Sequence, residues 1–345
     1  MQLVPAMHSG GVERGTVEVA TALVAAGHRA IVVSDGGRLV EALEKAGAEH
    51  IEIPVGRKSL SSLRYVSRLR QIWQERVIDI AHARSRLPAW LTYLAWRGLP
   101  QASRPSFVTT VHGAYSINAY SAIMLKGERV IAVSNTIAQY ITSNYPDFDP
   151  ARMTIIHRGV DRKAFPLNYQ PSAQWLREWR ERYPTLAGKR LLTLAGRLTR
   201  RKGHLEFFDL IERLARESES IHGLVVGGAQ AGRRRRYTQM LEREARRRDL
   251  PVTFTGHRSD IREIYAISDI VFALSTLPES FGRSALEALA LGRPVVGFDH
   301  GGVGEILRAI YPGGAIAMND LQTLTATTWA LLANPPKISI EHHFP

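Results

Sequence analysis

The chain has 345 residues, which at roughly 150 residues per domain makes about two domains and excludes a single small module. Its 45% hydrophobic and 22% charged residues are the balance of a folded globular protein and exclude disordered, collagen-like and coiled-coil chains. There is no cysteine, which removes disulfides, thiolate metal sites and cysteine nucleophiles together, while 45 Lys and Arg against 32 Asp and Glu give a net charge of +13 that suits an anionic partner.

The first apolar run, Leu3 to Met7, is closed by His8-Ser9-Gly10-Gly11. Its opening residues carry neither a basic region nor an apolar core, so no leader peptide is expected. Val12 to Ala26 reads as a helix stopped by Gly27, and Arg29 to Ser34 as a β-branched strand, which completes one strand-helix-strand unit. Short apolar strands follow at His50 to Ile53, Ile78 to Ala81, Phe107 to Val111, Val130 to Val133 and Met153 to Ile156. Leu60 to Trp73 has helical spacing with Arg64, Arg68 and Arg70 among its apolar residues, a pattern for packing on the sheet or for contact with an anionic lipid surface. The longest mainly apolar stretch, Leu87 to Leu99, is shorter than the roughly 20 residues of a membrane span and is broken by Arg97.

Asn168 to Ser172 reads as a connector, after which a helix carrying Trp175 and Trp179 opens a second series. Strands are predicted at Arg190 to Leu194, His222 to Val226, Val252 to Phe254, Ile270 to Ala273 and Pro294 to Gly297. Helices are predicted at His204 to Arg216, Arg233 to Arg248, Ile261 to Ala266 and Ser284 to Leu291, the basic clusters Arg233 to Arg236 and Arg246 to Arg248 reading as solvated faces. Fully apolar strands alternating with helices form doubly wound parallel sheets. The expected architecture is α/β: two Rossmann-like domains, residues 1–168 and 169–330, facing across a cleft, with 331–345 an unassigned tail. Ligands of such sheets bind outside the carboxyl ends of strands, so site residues are sought in the loops after strands.

The most informative of these loops runs from Pro278 to Ala288 and places Glu279 and Glu287 eight residues apart across a loop-to-helix junction, with Phe281 and Gly282 between them. Taken alone, the pair would be a helix cap and a surface or core-edge charge. Carboxylates also accept hydrogen bonds from sugar hydroxyls, and a helix start presents free amides. The second loop, Gly196 to His204, puts Arg197, Arg200, Arg201 and Lys202 directly after an apolar strand; cations there suit a pyrophosphate and the negative charge that develops on a leaving nucleoside diphosphate.

The segment from Ser268 to Glu305, with Glu-x7-Glu, Phe281-Gly282, Gly292-Arg293-Pro294 and Gly301-Gly302-Val303-Gly304, resembles the donor-binding half of the retaining family 4 glycosyltransferases of the GT-B fold. The resemblance implies that Glu279 binds a hydroxyl of the donor sugar, that the Phe281 and Gly282 amides meet sugar or phosphate, that Glu287 holds the ribose, and that Arg197 and Lys202 hold the pyrophosphate. In the first half it implies donor-phosphate or acceptor contact at Gly11 and contact with the donor sugar at His112. Where the family has Asn-Gly-Val-Asp, this chain has Arg158-Gly159-Val160-Asp161, preceded by His157 in place of a proline, so no role is carried over there.

The implied activity is a metal-independent transfer of a sugar from a nucleoside-diphosphate donor, with no further cofactor, to a hydroxyl of a glycan or lipid-linked acceptor, lipopolysaccharide among them. The expected setting is cytoplasmic, peripheral on the inner face of a membrane, with no specific nucleic-acid partner. Three other readings remain open. Asp35 at the end of the second strand suits a dehydrogenase ribose carboxylate, although Gly10-Gly11-Val12-Glu13-Arg14-Gly15 is not G-x-G-x-x-G; a nucleotide-sugar epimerase shares the architecture; and a non-catalytic protein could bind polyanions. Asp147-Phe148-Asp149 has the form of a metal-diphosphate motif, but it lies between Pro146 and Pro150 without supporting ligands.

Overall fold

The computed structural model describes residues 1–8, 10–228, 233–338 and 340, and the side chains of Arg233 and Arg234 are not among what it describes. Ser9, residues 229–232, 339 and 341–345 lie outside the described residues, so the tail and the first basic cluster are accounted for only in part. The chain divides into two compact units, Met1–Arg158 and Gly159–Pro345. The boundary falls ten residues before the connector read from sequence because Val160, Phe165 and Tyr169 pack on the core of the second unit and the Asn168 amide donates to the Leu291 carbonyl. The tail's Ile338 and Ile340 are buried in that core too.

The first unit is a seven-stranded parallel sheet of β1 (Gln2–Leu3), β2 (Ile31–Ser34), β3 (Glu49–Glu52), β4 (Ile80–Ala83), β5 (Ser106–Val111), β6 (Arg129–Ala132) and β7 (Met153–Ile155), in the order β3-β2-β1-β4-β5-β6-β7. Its helices are α1 (Gly11–Ala25), α2 (Val40–Lys45), α3 (Arg64–Arg76), α4 (Arg86–Arg97), α5 (Ala119–Ala122) and α6 (Asn135–Asn144). β1 is shorter than its apolar run because Pro5 has no N–H to give to a ladder. On α3, Leu69, Ile72 and Trp73 are buried, which is the packing reading, but Leu63 and Leu60 in the 3-10 turn before it, the latter 88% exposed, are not.

The second unit is a six-stranded parallel sheet of β8 (Arg190–Ala195), β9 (Ile221–Val226), β10 (Val252–Gly256), β11 (Ile270–Ala273), β12 (Val295–Phe298) and β13 (Ala315–Ile316), in the order β10-β9-β8-β11-β12-β13. Its helices are α7 (Ala173–Arg182), α8 (His204–Glu217), α9 (Arg233–Arg247), α10 (Ile261–Ile267), α11 (Arg283–Ala290), α12 (Gly301–Ile310) and α13 (Leu321–Ala333). Successive residues of a strand point to opposite faces. Here both faces are apolar: along β11, Ile270 and Phe272 join a core with residues of α8, α9 and α13, whereas Val271 and Ala273 join one with residues of α10, α11 and α12.

In both units the strand order reverses at one point, between β1 and β4 and between β8 and β11. Loops leaving the carboxyl ends of two such neighbours diverge to opposite faces and open a crevice, the usual ligand position in doubly wound sheets.

Burial also sets the acid limit of the fold. His82, whose Nε2 pairs with the Thr110 hydroxyl at 2.6 Å, is pushed down to about 3 by burial and then by Arg84. His222 falls to about 4 by burial and by Lys189. His204 falls to about 4 by burial, with Lys202 adding to the drop and the Thr199 backbone opposing it. The unfolded chain takes up these protons as pH drops below about 6.5 and the folded chain does not until about 4 or lower. Stability is therefore fully present above about 6.5 and is lost through that window at about 1.4 kcal/mol per pH unit per histidine. Thermal melts at pH 7, 6 and 5 are expected to show a steadily falling Tm; a flat Tm across that range would contradict the assignment.

Candidate functional site

At the switch point of the second sheet the loop after β8 meets the loop after β11. Lys202 ends a short 3-10 turn, Arg200–Lys202, and its Nζ lies 2.6 Å from Oε1 of Glu279, the two side chains 23% and 22% exposed. The same carboxylate oxygen accepts the Ser275 hydroxyl, and the Ser275 carbonyl accepts from Nε2 of His300 at 2.6 Å. Burial alone would push the Glu279 carboxyl up, but the charge and hydrogen bond of Lys202, the Ser275 hydroxyl and the charge of Arg197 outweigh it and hold it below the usual carboxylate range. Arg197 itself is exposed. Three sequence-predicted residues, Arg197, Lys202 and Glu279, thus converge on one place. Ser275 and His300, which nothing in the sequence singles out, orient the carboxylate.

The chain then enters α11 through Gly282, whose φ of 102° lies in the left-handed region that an L side chain seldom adopts. The Phe281 side chain is buried in the core, so what it can offer a ligand is its backbone amide. Because α11 is buried from Ala285 to Ala290, Glu287 goes in with it and is only 5% exposed. It is neither solvated nor at the core edge. A buried carboxylate needs compensation, and Arg283, one turn earlier, places Nε 3.5 Å away.

In the first unit Gly11 is exposed at the start of α1. His112 follows β5, and its Nδ1 takes a hydrogen bond of 2.6 Å from Nη2 of Arg158. Burial, then the charges of Arg158, Arg84 and His82, hold the imidazole well below its usual range, so it is neutral. Arg158, visible in the sequence only as a departure from the family pattern, is therefore tied to a predicted site residue. Asp35 pairs with the exposed Arg57 guanidinium at 3.1 and 3.2 Å. Asp149 caps the turn Pro150–Arg152 through the Ala151 amide. Among the described residues no helix is long and apolar enough to cross a membrane.

Residues 9–164 match the family described as Glycosyltransferase Family 4, and residues 177–340 match Glycosyl transferases group 1. A glycosyltransferase structure from Rickettsia africae is 32% identical, with a TM-score of 0.82 over 96% of this chain and 88% of that one. The chain belongs to the group 1 glycosyltransferases. Its two parallel α/β units have the GT-B architecture of that group, and HepE of Anabaena, solved with UDP and glucose, shares the fold at 22% identity with a TM-score of 0.80 over 96% of this chain and 89% of that one. A curated relative, spore coat protein SA of Bacillus subtilis, is 27% identical over 241 residues, 66% of this chain; the chain spans 62% of that relative's length.

Proposed function

We propose that this group 1 glycosyltransferase moves a sugar from a nucleoside-diphosphate donor to a hydroxyl of a glycan or lipid-linked acceptor, lipopolysaccharide being one candidate, with retention at the anomeric carbon. The observation that carries the reading is the convergence of Arg197, Lys202 and an ionised Glu279 at the switch point between β8 and β11. Lys202 and Arg197 hold the pyrophosphate, Glu279 takes a hydroxyl of the transferred sugar, the Phe281 and Gly282 amides contact sugar or phosphate, and Glu287 takes the ribose. Gly11 is assigned the donor phosphate or the acceptor, and His112 the donor sugar.

Glu279 is held by a lysine, a serine and the charge of an arginine, which suits a hydrogen-bonding carboxylate better than a nucleophile. Front-side displacement follows. The bond from the anomeric carbon to the β-phosphate oxygen breaks, its electron pair leaves with the diphosphate, and that phosphate takes the acceptor's proton as the acceptor oxygen bonds on the same face. Preorganised cations aimed at the departing charge stabilise this step. The deciding experiment offers a panel of nucleotide sugars and measures free nucleoside diphosphate. Release that requires an added acceptor supports transfer; conversion of the donor without acceptor supports the epimerase reading; no turnover with any donor and acceptor pair defeats both.

Since side chains supply the cations, turnover is expected to survive chelation. Full loss in chelator, restored by magnesium or manganese, would overturn this part. Membrane association is proposed to be peripheral and electrostatic. It is supported by the net charge of +13, by exposed Leu60 and Leu63 beside Arg57, Lys58 and Arg64, and by the α9 face carrying Arg236, Arg243 and Arg247. Each basic group near an anionic surface contributes about 1 kcal/mol, screened within roughly 10 Å at 0.1 M salt. The protein is expected to sediment with anionic vesicles at low salt and to be released at 1 M salt; no binding at low salt would remove the membrane from the proposal.

A further inference from the structure

We propose that the entry to α12, His300-Gly301-Gly302, acts with Ser275 as the positioning element for Glu279: it pins one carboxylate oxygen, Oε1, and leaves the other, Oε2, to receive a hydroxyl of the transferred sugar. Among the described residues, both side-chain hydrogen bonds that Glu279 accepts end on Oε1, one from Nζ of Lys202 at 2.6 Å and one from the Ser275 hydroxyl. A carboxylate oxygen has two lone pairs, so Oε1 is fully used and Oε2 keeps both of its own. The side chain is 22% exposed, so a ligand can reach it.

Ser275 is the dedicated anchor. Its hydroxyl has one proton and gives it to Glu279, and at 4% exposure the residue is out of a ligand's reach. Lys202 has three protons and is also assigned the pyrophosphate, so it has two anions to serve. When it engages a phosphate, the serine still holds the carboxylate.

Other elements fix Ser275 in turn. Nε2 of His300 donates to its carbonyl at 2.6 Å, and a carbonyl only accepts, so that nitrogen carries a proton. The next amide, that of Thr276, donates to the Arg201 carbonyl at 2.9 Å, in the basic loop after β8. His300 precedes α12 without capping it; its ring serves Ser275 instead. Two residues later the Gly302 amide donates to the Glu279 carbonyl at 2.7 Å. Gly301 permits that approach, since its φ is 59° and a Cβ there would stand 2.7 Å from the Glu279 nitrogen and 2.8 Å from its carbonyl oxygen. One tripeptide thus holds Glu279 by its main chain and, through Ser275, by its side chain. Ser275 and His300 act through Glu279 and are positioning residues. The inference rests on the proposed transfer only for what Oε2 receives.

The test has two arms, both on the full chain. The first follows the Glu279 carboxyl by 13C NMR of protein labelled at the glutamate carboxyl carbon, its signal identified by its loss in Glu279→Gln. Lys202, Arg197 and the Ser275 hydroxyl act on this carboxylate, with His300 behind Ser275. Ser275→Ala removes one donor to the ionised form, so the titration is expected to move to higher pH; Ser275→Thr should stay close to the wild type, and His300→Ala should move the same way by less. The second arm measures kcat and donor KM by diphosphate release. Ser275→Ala is expected to lower kcat about tenfold, the worth of a hydrogen bond to a charged group, with KM nearly unchanged, and Ser275→Thr to recover most of the loss. A Ser275→Ala titration that coincides with the wild type, or a Ser275→Thr variant no better than Ser275→Ala, would overturn the positioning role of the serine. A His300→Ala titration like the wild type would remove His300 from it, and a raised KM with kcat intact in Ser275→Ala would overturn the role given to Oε2. A wild type that turns over no donor and acceptor pair would defeat the transfer reading instead, and the titration arm would still decide the positioning role.

Discussion

Lys202→Ala is expected to lower kcat by about a hundredfold or more, since losing one preorganised charge contact to a developing anion costs about 3 kcal/mol or more. Arg197→Ala should do the same without disturbing the Glu279 geometry, because Arg197 acts on that carboxylate through charge whereas Lys202 also bonds it at 2.6 Å. Lys202 therefore has two consequences to lose. Without it, burial is opposed only by Ser275 and Arg197, so the Glu279 carboxyl rises and the acid limb of the kcat profile is expected to move to higher pH. In Arg197→Ala the limb should move less. Because Lys202 and Glu279 share an ion pair, the double replacement is expected to cost less than the two single losses combined. Stopped assays of diphosphate release across pH 5 to 9 check all of this, and near wild-type turnover in both single variants would remove the pyrophosphate assignment.

The fold was legible where its physics is local. A parallel strand covered on both faces must be apolar along its whole length, so Ile270–Ala273 and Arg190–Ala195 stand out as short apolar runs between helices. α12 did not, because it opens with Gly301-Gly302, residues that read as loop and are admitted only by close packing against Glu279 and Phe281. α13 was hidden by Thr323, Thr325, Thr327 and Thr328, β-branched residues of poor helix propensity, of which Thr325 and Thr328 donate their hydroxyls back to the carbonyls four residues earlier. β13 has two residues, too few for any period to show.

For the site, the motif around Glu279 and Glu287 and the basic loop around Lys202 could each be read as chemistry. Their pairing could not. Lys202 and Glu279 are 77 residues apart, and what joins them is the neighbourhood of β8 and β11 in the sheet, a strand order that no local pattern encodes. Arg158 shows the opposite case: the sequence marked the position as unusual, and only the placement of its guanidinium against Nδ1 of His112 gave the departure a meaning.

Glu279 and Glu287 share a motif but are expected to differ in phenotype. Glu279 stands in the loop, partly exposed and ionised; on the proposed assignment to the transferred sugar, its hydrogen bond would strengthen as the anomeric carbon gains positive character. An interaction stronger in the transition state than in the ground state acts on rate, so Glu279→Ala should lower kcat. Glu287 lies inside α11 and is assigned to the ribose, which is unchanged by the reaction; its loss should raise the apparent KM and leave kcat nearly intact. Burial decides the choice of substitution. Alanine at 287 would open a cavity and remove the contact with Arg283, whereas Glu287→Gln keeps the volume and removes only the charge. Free nucleoside diphosphate, which carries ribose but no sugar, should bind Glu279→Ala about as tightly as it binds the wild type, and Glu287→Gln about tenfold more weakly, the worth of one charge-assisted hydrogen bond. Calorimetric titration of the diphosphate into both variants checks this, and the reverse ranking would show that the two carboxylates have exchanged roles.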